Sequence, residues 1–239
     1  MTTTPLKLLS SMATRELLVE LAARYARNRD QLVITEATGG VDAAKRVQAG
    51  EALDMVVLAA NVIDTLIAAG KLMPGSRVDL VNSGIAVAVR ADSVAPDISS
   101  EDAVKHAVMA AATLGYSTGP SGIYLEQLFK RWDILPAIKH KIVVAPPGVP
   151  VGSLVAQGDC ALGFQQHSEL LNVPGIVVLG PLPAAIQLMT TFAGAVAVSS
   201  RQPVAARLAL EFMAAPMMAD IKRRYGMEVT ASQQSISLP

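Results

Sequence analysis

Arg77-Val78-Asp79-Leu80-Val81-Asn82-Ser83-Gly84-Ile85-Ala86-Val87-Ala88-Val89-Arg90 is the stretch on which the fold turns. It is apolar along most of its length, yet it is far longer than the ~5–6 residues of an ordinary strand. The small polar break Asn82-Ser83-Gly84 lies in its middle. We read it as a strand that leaves one sheet and enters another, the pattern a hinge leaves in a sequence. A second long apolar run, Ile186–Ser199, reads as the return crossing.

Upstream of the first crossing, strands and helices alternate. Leu6–Ser10 reads as a buried strand, and Thr14–Ala26 as a helix with Leu17, Leu18, Leu21, Ala22 and Tyr25 on one face. Gln31–Glu36 is the next strand, and Val41–Ala49 a helix ended by the left-handed cap Gly50. Asp54–Ala60 is a strand, and Val62–Ala69 a helix closed by Gly70. Repeated strand–helix units of this kind build a parallel, doubly wound sheet. Downstream the alternation restarts. Ser99 and Asp102 read as a capping box before the helix Ala103–Ala112. Thr113–Ser117, Lys141–Pro146, Ala161–Gln166 and Gly175–Leu182 read as strands, with helices at Ile123–Trp132, Val151–Ala156 and Ser168–Leu171. The helices Pro203–Ala214 and Met217–Tyr225 follow the return crossing, and the polar tail Val229–Pro239 is expected to be loosely held. The fold class is therefore α/β, with two doubly wound lobes joined by two crossing strands. Residues 1–83 and 192–239 form one lobe, and residues 84–191 are inserted as the other.

The composition suits that reading. Of 239 residues, 51% are hydrophobic and only 17% charged, with aromatics at 4%, so the core is aliphatic and strands can be covered on both faces. Lys plus Arg and Asp plus Glu both number 20, so no basic field is available for nucleic acid. The densest basic run, Lys222-Arg223-Arg224, reads as the solvated last turn of a helix. A single cysteine, Cys160, excludes an internal disulfide and a thiolate metal cluster. No charge occurs from Leu170 to Ser200, but Pro174, Gly175, Gly180, Pro181 and Pro183 break the run, which reads as two buried strands rather than a membrane span. The amino terminus shows no basic and apolar leader, so a cytoplasmic location is expected, or a periplasmic one if a leader has been removed.

Ligands of open α/β sheets bind beyond the carboxyl ends of the strands. Here those loops carry small and hydroxyl residues: Ser10, Ser11, Thr14 and Arg15, then Thr38, Gly39 and Gly40, in the first lobe. In the second they carry Ser117, Thr118 and Ser121, then Gly148 and Val149, then Gln165 and Gln166. Small residues let backbone N–H groups approach a ligand, and helix starts offer those donors to an anion. Ser121 can also serve as an ordinary N-cap. Glu36, His167 and Glu169 sit near strand ends and are the candidate general bases, His167 first because its ordinary pKa is near neutrality. His106 and His140 are expected on outer surfaces. No metal-ligand spacing and no cofactor fingerprint occur, so neither a metal nor a cofactor is expected.

Several short stretches carry a family likeness: Leu21-Ala22-Ala23-Arg24-Tyr25, Val47-Gln48-Ala49-Gly50-Glu51-Ala52-Leu53-Asp54, Pro120-Ser121-Gly122-Ile123-Tyr124, Leu162-Gly163-Phe164 and Lys222-Arg223-Arg224-Tyr225-Gly226. In this order they resemble the molybdate-binding branch of the type II periplasmic solute-binding proteins, over nearly the whole chain. The resemblance implies two α/β lobes that close on a small anion in the cleft between them. It also implies ligand contacts at Ser10–Thr14, Thr38–Val41, Ser121, Gly148–Val149 and Gln166. The side-chain donors that a tetrahedral oxyanion would need fall on Ala13, on Gly39 or Gly40, and on Gln166. The paired amides of Gln165 and Gln166 suit an organic carboxylate instead. Gly163-Phe164-Gln165-Gln166-His167-Ser168-Glu169-Leu170 resembles a subgroup that includes aconitate isomerase. The expectation set first is therefore binding of a small anionic solute, an organic di- or tricarboxylate ahead of a molybdate-type oxyanion, with a transporter permease as partner if the protein is exported. Cofactor-independent isomerisation of an unsaturated carboxylic acid stands second, and a cytoplasmic ligand sensor third. No nucleic-acid partner and no membrane insertion are expected.

Overall fold

The computed structural model describes residues 4–146 and 148–230. Most of the polar tail, and Pro147, lie outside the described residues. The chain forms two compact units, one from Met1–Ser83 with Thr190–Pro239, the other from Gly84–Met189.

The first unit begins with β1 (Leu6–Ser11), α1 (Arg15–Arg29), β2 (Val33–Thr38), α2 (Gly40–Gln48), β3 (Met55–Ala59) and α3 (Ala60–Ala68). The long strand β4 (Val78–Arg90) then carries the chain into the second unit. β1 lies parallel to both β2 and β3. Successive residues of these strands feed different cores. Leu8, Met55 and Val57 pack with Leu17, Leu21, Leu210 and Met213 on one face. Leu9, Val56 and Leu58 pack with Val47, Ile63 and Leu66 on the other. A strand covered on both faces needs no polar alternation, which is why these runs are aliphatic throughout. Gly50 and Gly70 take φ of +84° and +69°, the left-handed geometry that stops α2 and α3.

The second unit contains the far half of β4, then α4 (Glu101–Ala110), β5 (Leu114–Ser117), α5 (Pro120–Arg131), α6 (Leu135–Ile138), β6 (Ile142–Ala145), α7 (Val151–Gln157), β7 (Leu162–Gln166), α8 (His167–Leu170) and β8 (Ile176–Pro181). β5 lies parallel to β6 and β7, while β4 runs antiparallel to β7 and β8. One face is packed with Val87, Leu114, Tyr116, Leu125, Phe129 and Phe164, with Phe129 edge-on to Phe164 at 6.4 Å. On the opposite face α7 lies very close to the sheet. A Cβ at Gly163 would stand 2.4 Å from Val155 Cγ2, so glycine is what lets α7 approach.

The chain returns through β9 (Met189–Val196), which lies between β3 and β4 in strand order and pairs antiparallel with β3. The helices α9 (Pro203–Ala214) and α10 (Ala219–Arg224) complete the first unit. The charge-free stretch is thus β8, β9 and their connection, and among the described residues no helix is long and apolar enough to cross a membrane.

Three sequence expectations shift. The helix cap before α4 is Ser100, whose hydroxyl accepts from the Ala103 N–H, not Ser99. Gly119 rather than Ser121 occupies the N-cap of α5. Within Lys222-Arg223-Arg224, Lys222 is fully buried while its neighbours are exposed. It falls on the same helix face as Met218 and Ile221, and its Nζ donates to the Ala214 carbonyl at the end of α9 at 3.0 Å.

Candidate functional site

In the first unit the parallel register sets Ser10 beside Ala37 and Ser11 beside Thr38, so the ends of β1 and β2 finish together. Ser10 donates to the Glu36 carbonyl at 3.4 Å, and Thr14 donates to the Ser11 carbonyl at 3.3 Å. Those contacts tie the turn between β1 and α1 into a fixed shape. The Ser11 hydroxyl is different: it is buried and has no hydrogen-bond partner. Its Cβ lies 3.9 Å from where a Cβ of Gly40 would stand, so it adjoins the first residue of α2. Gly39 and Thr38 precede that helix start. Arg15 is exposed and paired with the neighbouring Glu16, so its charge is spent in solvent.

Glu36 is also exposed, and both of its carboxylate oxygens accept from Arg46. That guanidinium holds the Glu36 carboxyl below its ordinary pKa, which works against a role as a base. Arg46 also binds Glu51, forming a surface cluster.

In the second unit, Ser117 ends β5 opposite Ala145 of β6, while β5 and β7 run parallel, so three strand ends finish on one side. The Ser117 hydroxyl accepts from the Gly119 N–H at 3.3 Å. Thr118 is exposed, and Ser121 is buried in the first turn of α5. Gly122 locks this loop: a Cβ there would stand 1.7 Å from the Ser117 carbonyl oxygen. Gly148 takes φ +79° in an exposed turn, with Val149 donating its N–H to the Pro146 carbonyl.

Gln165 and Gln166 are both buried. Consecutive strand residues point to opposite faces, so the two amides do not form one pair. The Gln165 Oε1 accepts the Val151 N–H at 2.9 Å, and its Nε2 donates to Glu169 Oε2 at 2.7 Å. His167 opens α8 directly after β7, half-buried, and burial lowers its pKa from 6.5. Burial thus favours the neutral imidazole, whose lone pair can act as a base. Among the described residues no group of His, Cys, Asp and Glu could hold a metal ion. The Cys160 thiol is buried and pushed up to about 11, which leaves it an inert packing group.

Sequence reasoning did not find the Gln165–Val151 and Gln165–Glu169 contacts, nor the orphaned hydroxyl of Ser11. A Gln at the end of an apolar strand, followed by Glu at the fourth position, was the signal for the first. A serine doublet at a strand end was the signal for the second.

Two α/β units joined by two strands, with small and hydroxyl residues at the strand ends, define the type II periplasmic binding-protein fold. Residues 6–228 match the family of bacterial extracellular solute-binding proteins, and the chain belongs to that family. It is 39% identical over 189 residues to an aconitate isomerase from Pseudomonas sp, covering 79% of this chain and 72% of that protein. Among solved structures it resembles the periplasmic molybdate-binding protein of Azotobacter vinelandii, with TM-score 0.76, 19% identity and coverage of 94% and 99% of the two chains. It also resembles the sulfate-binding protein SubI of Mycobacterium tuberculosis, with TM-score 0.75, 15% identity and coverage of 98% and 90%. At those identities the two structures share the fold alone.

Proposed function

We propose that the chain binds a small organic di- or tricarboxylate through these strand-end loops. The observation that carries the reading is the Ser11 hydroxyl, buried, without a partner and beside the start of α2. Burying an unsatisfied polar group costs about 1–3 kcal/mol. A carboxylate oxygen at that place accepts the Ser11 proton and the N–H groups that begin α2. The choice of an organic acid over an inorganic oxyanion is supported by the aconitate isomerase relative and by Ala13, Gly39 and Gly40, which offer no side-chain donors. Calorimetry with trans-aconitate and with molybdate tests it. The carboxylate is expected to bind more tightly, and Ser11→Ala to weaken it about tenfold, near 1.4 kcal/mol, without lowering Tm. Submicromolar molybdate binding with no carboxylate binding would reverse the reading. On this reading a membrane permease takes the solute onward and the chain is exported.

A second reading, turnover of the bound acid, is supported by the half-buried His167 at the end of β7, whose neutral form burial favours. His167 would remove a proton from one carbon of the unsaturated acid and return it at another as the double bond shifts, with no cofactor. On that reading the chain works in the cytoplasm. Incubation with cis- and trans-aconitate in deuterated buffer follows interconversion and deuterium uptake together. His167→Ala is expected to reduce both by about 100-fold or more. Undiminished turnover in that variant would pass the role to Glu169. No exchange with an acid that binds leaves a receptor only.

A further inference from the structure

The face that α9 turns to solvent differs from that of α1, the other long helix of its unit. Ala206, Leu210 and Met213 of α9 point into the core. On the opposite side Val204 is 73% exposed and Leu208 48%, one turn apart, and the half-buried Ala215 ends the same stripe two turns further on. Met217, 76% exposed, follows directly. The outer face of α1, by contrast, carries Arg15, Glu16, Arg27 and Arg29 around the lone Val19. Single exposed apolar residues are ordinary, but a stripe of them along one helix marks a contact surface. Two charges border the stripe on one flank. They are Arg207 and Glu211, both exposed and paired with each other at 3.0 Å.

Those charges single out a second copy of the chain as the occupant. A second α9 laid antiparallel on the first, crossing between Leu208 and Glu211, brings Arg207 of each copy to Glu211 of the other. The pair within each helix then becomes part of a closed ring of alternating charges. The same overlay sets branched Val204 against small Ala215 of the other copy and leaves both Leu208 side chains at the centre. A parallel overlay would oppose like charges instead, Arg207 to Arg207 and Glu211 to Glu211. A twofold axis needs a surface complementary to itself, and this stripe meets that condition. With 20 basic and 20 acidic residues, the chain carries no formal net charge to keep copies apart.

We propose that α9 is the interface of a symmetric homodimer, two chains packing antiparallel through Val204 and Leu208 with reciprocal Arg207–Glu211 pairs. It uses none of the residues assigned to solute binding, so the two readings stand or fall separately.

Sedimentation velocity on the full chain follows mass against concentration. A reversible shift from monomer to dimer is expected between about 1 and 100 μM, the range in which a modest interface saturates. Leu208→Glu places a charge at the centre of the contact and is expected to weaken dimerisation about 100-fold or more. Arg207→Glu and Glu211→Arg keep the apolar stripe, yet each should be monomeric, because each sets only like charges around the contact. Mixed in equal amounts, those two variants should associate as a heterodimer, since every charge of one then meets its opposite on the other. Glu126→Lys and Lys130→Glu alter an exposed pair on α5 in the same way and change net charge equally. Each of these should dimerise like the wild type. A wild type that stays monomeric at about 100 μM overturns the proposal and leaves the stripe to residues 231–239 or to a different protein. Dimerisation that survives Leu208→Glu, or a mixture of Arg207→Glu and Glu211→Arg that stays monomeric, puts the contact elsewhere and overturns it as well.

Discussion

Gly122→Ala is expected to lower stability by about 3 kcal/mol, the upper end of ordinary overpacking, and Tm by about 6–12 °C. The added Cβ would lie 1.7 Å from the Ser117 carbonyl oxygen and 2.9 Å from its carbon. Both are backbone atoms at the end of β5, so no side-chain rotation relieves the clash. Either α5 tilts away from the sheet or the loop from Ser117 to Ser121 is displaced. Solute affinity should therefore fall with stability. Gly119→Ala is the matched control: a Cβ there meets only Ser117 Oγ at 3.4 Å, an ordinary contact, and φ of −77° suits any residue. Thermal melts of the two variants, read with solute titration, should separate them clearly. Equal melting temperatures would mean that α5 does not approach β5 as closely as the structure has it.

The second large effect belongs to Lys222. Burial lowers its pKa from 10.5 to about 8. Below about pH 8 the lysine is charged in both folded and unfolded chains, and the folded state carries the full desolvation penalty. Between about pH 8 and 10.5 the folded chain has released the proton that the unfolded chain still holds. The unfolded state then binds more protons, so stability must rise with pH across that window. At about 1.4 kcal/mol per pKa unit, the gain from Lys222 reaches up to about 3 kcal/mol. Tyr25 and Tyr116 have pKa values raised by burial and pull the other way as the solution becomes alkaline. The informative quantity is therefore the difference between wild type and Lys222→Met. Denaturant unfolding at pH 7.5 and pH 10 should show the wild type gaining on the variant by most of that amount. A difference that does not change with pH would mean that Lys222 keeps its proton in the folded chain.

The architecture was legible because its signals are local. Leu8-Leu9 and Val56-Val57 are aliphatic in pairs because each neighbour fills a different core, and that doubling marks a strand covered on both faces. Gly50 and Gly70 announced helix ends by the conformation they permit. Signals displaced by one or two residues were read less well. Ser99 and Ser100 are equally good caps on paper, and the choice depends on which residue the helix reaches. Lys222 was read as solvated because it stands in a basic triplet, whereas helix phase carries it inward and leaves Arg223 and Arg224 outside.

The site was legible as a set of loops but not as a network. Gln165 touches Val151, fourteen positions earlier, and Glu169, four later. The first of those contacts exists only because Gly163 lets α7 approach β7. No periodicity encodes such a contact. The same holds for Ser11, whose lack of a partner emerges only once Ser10 and Thr14 are seen to have found theirs.

The order of segments also sets an order of birth. Residues 84–189 are one uninterrupted length of chain, while the other unit draws on both ends. β9, which fills the place between β3 and β4, is translated after every strand of the inserted unit. On the ribosome the inserted unit is therefore complete while its companion is still a partial sheet with bare edges at β3 and β4. Unpaired strand edges recruit other chains, so a nascent chain stalled short of β9 is the form of this protein most exposed to aggregation and most in need of a chaperone.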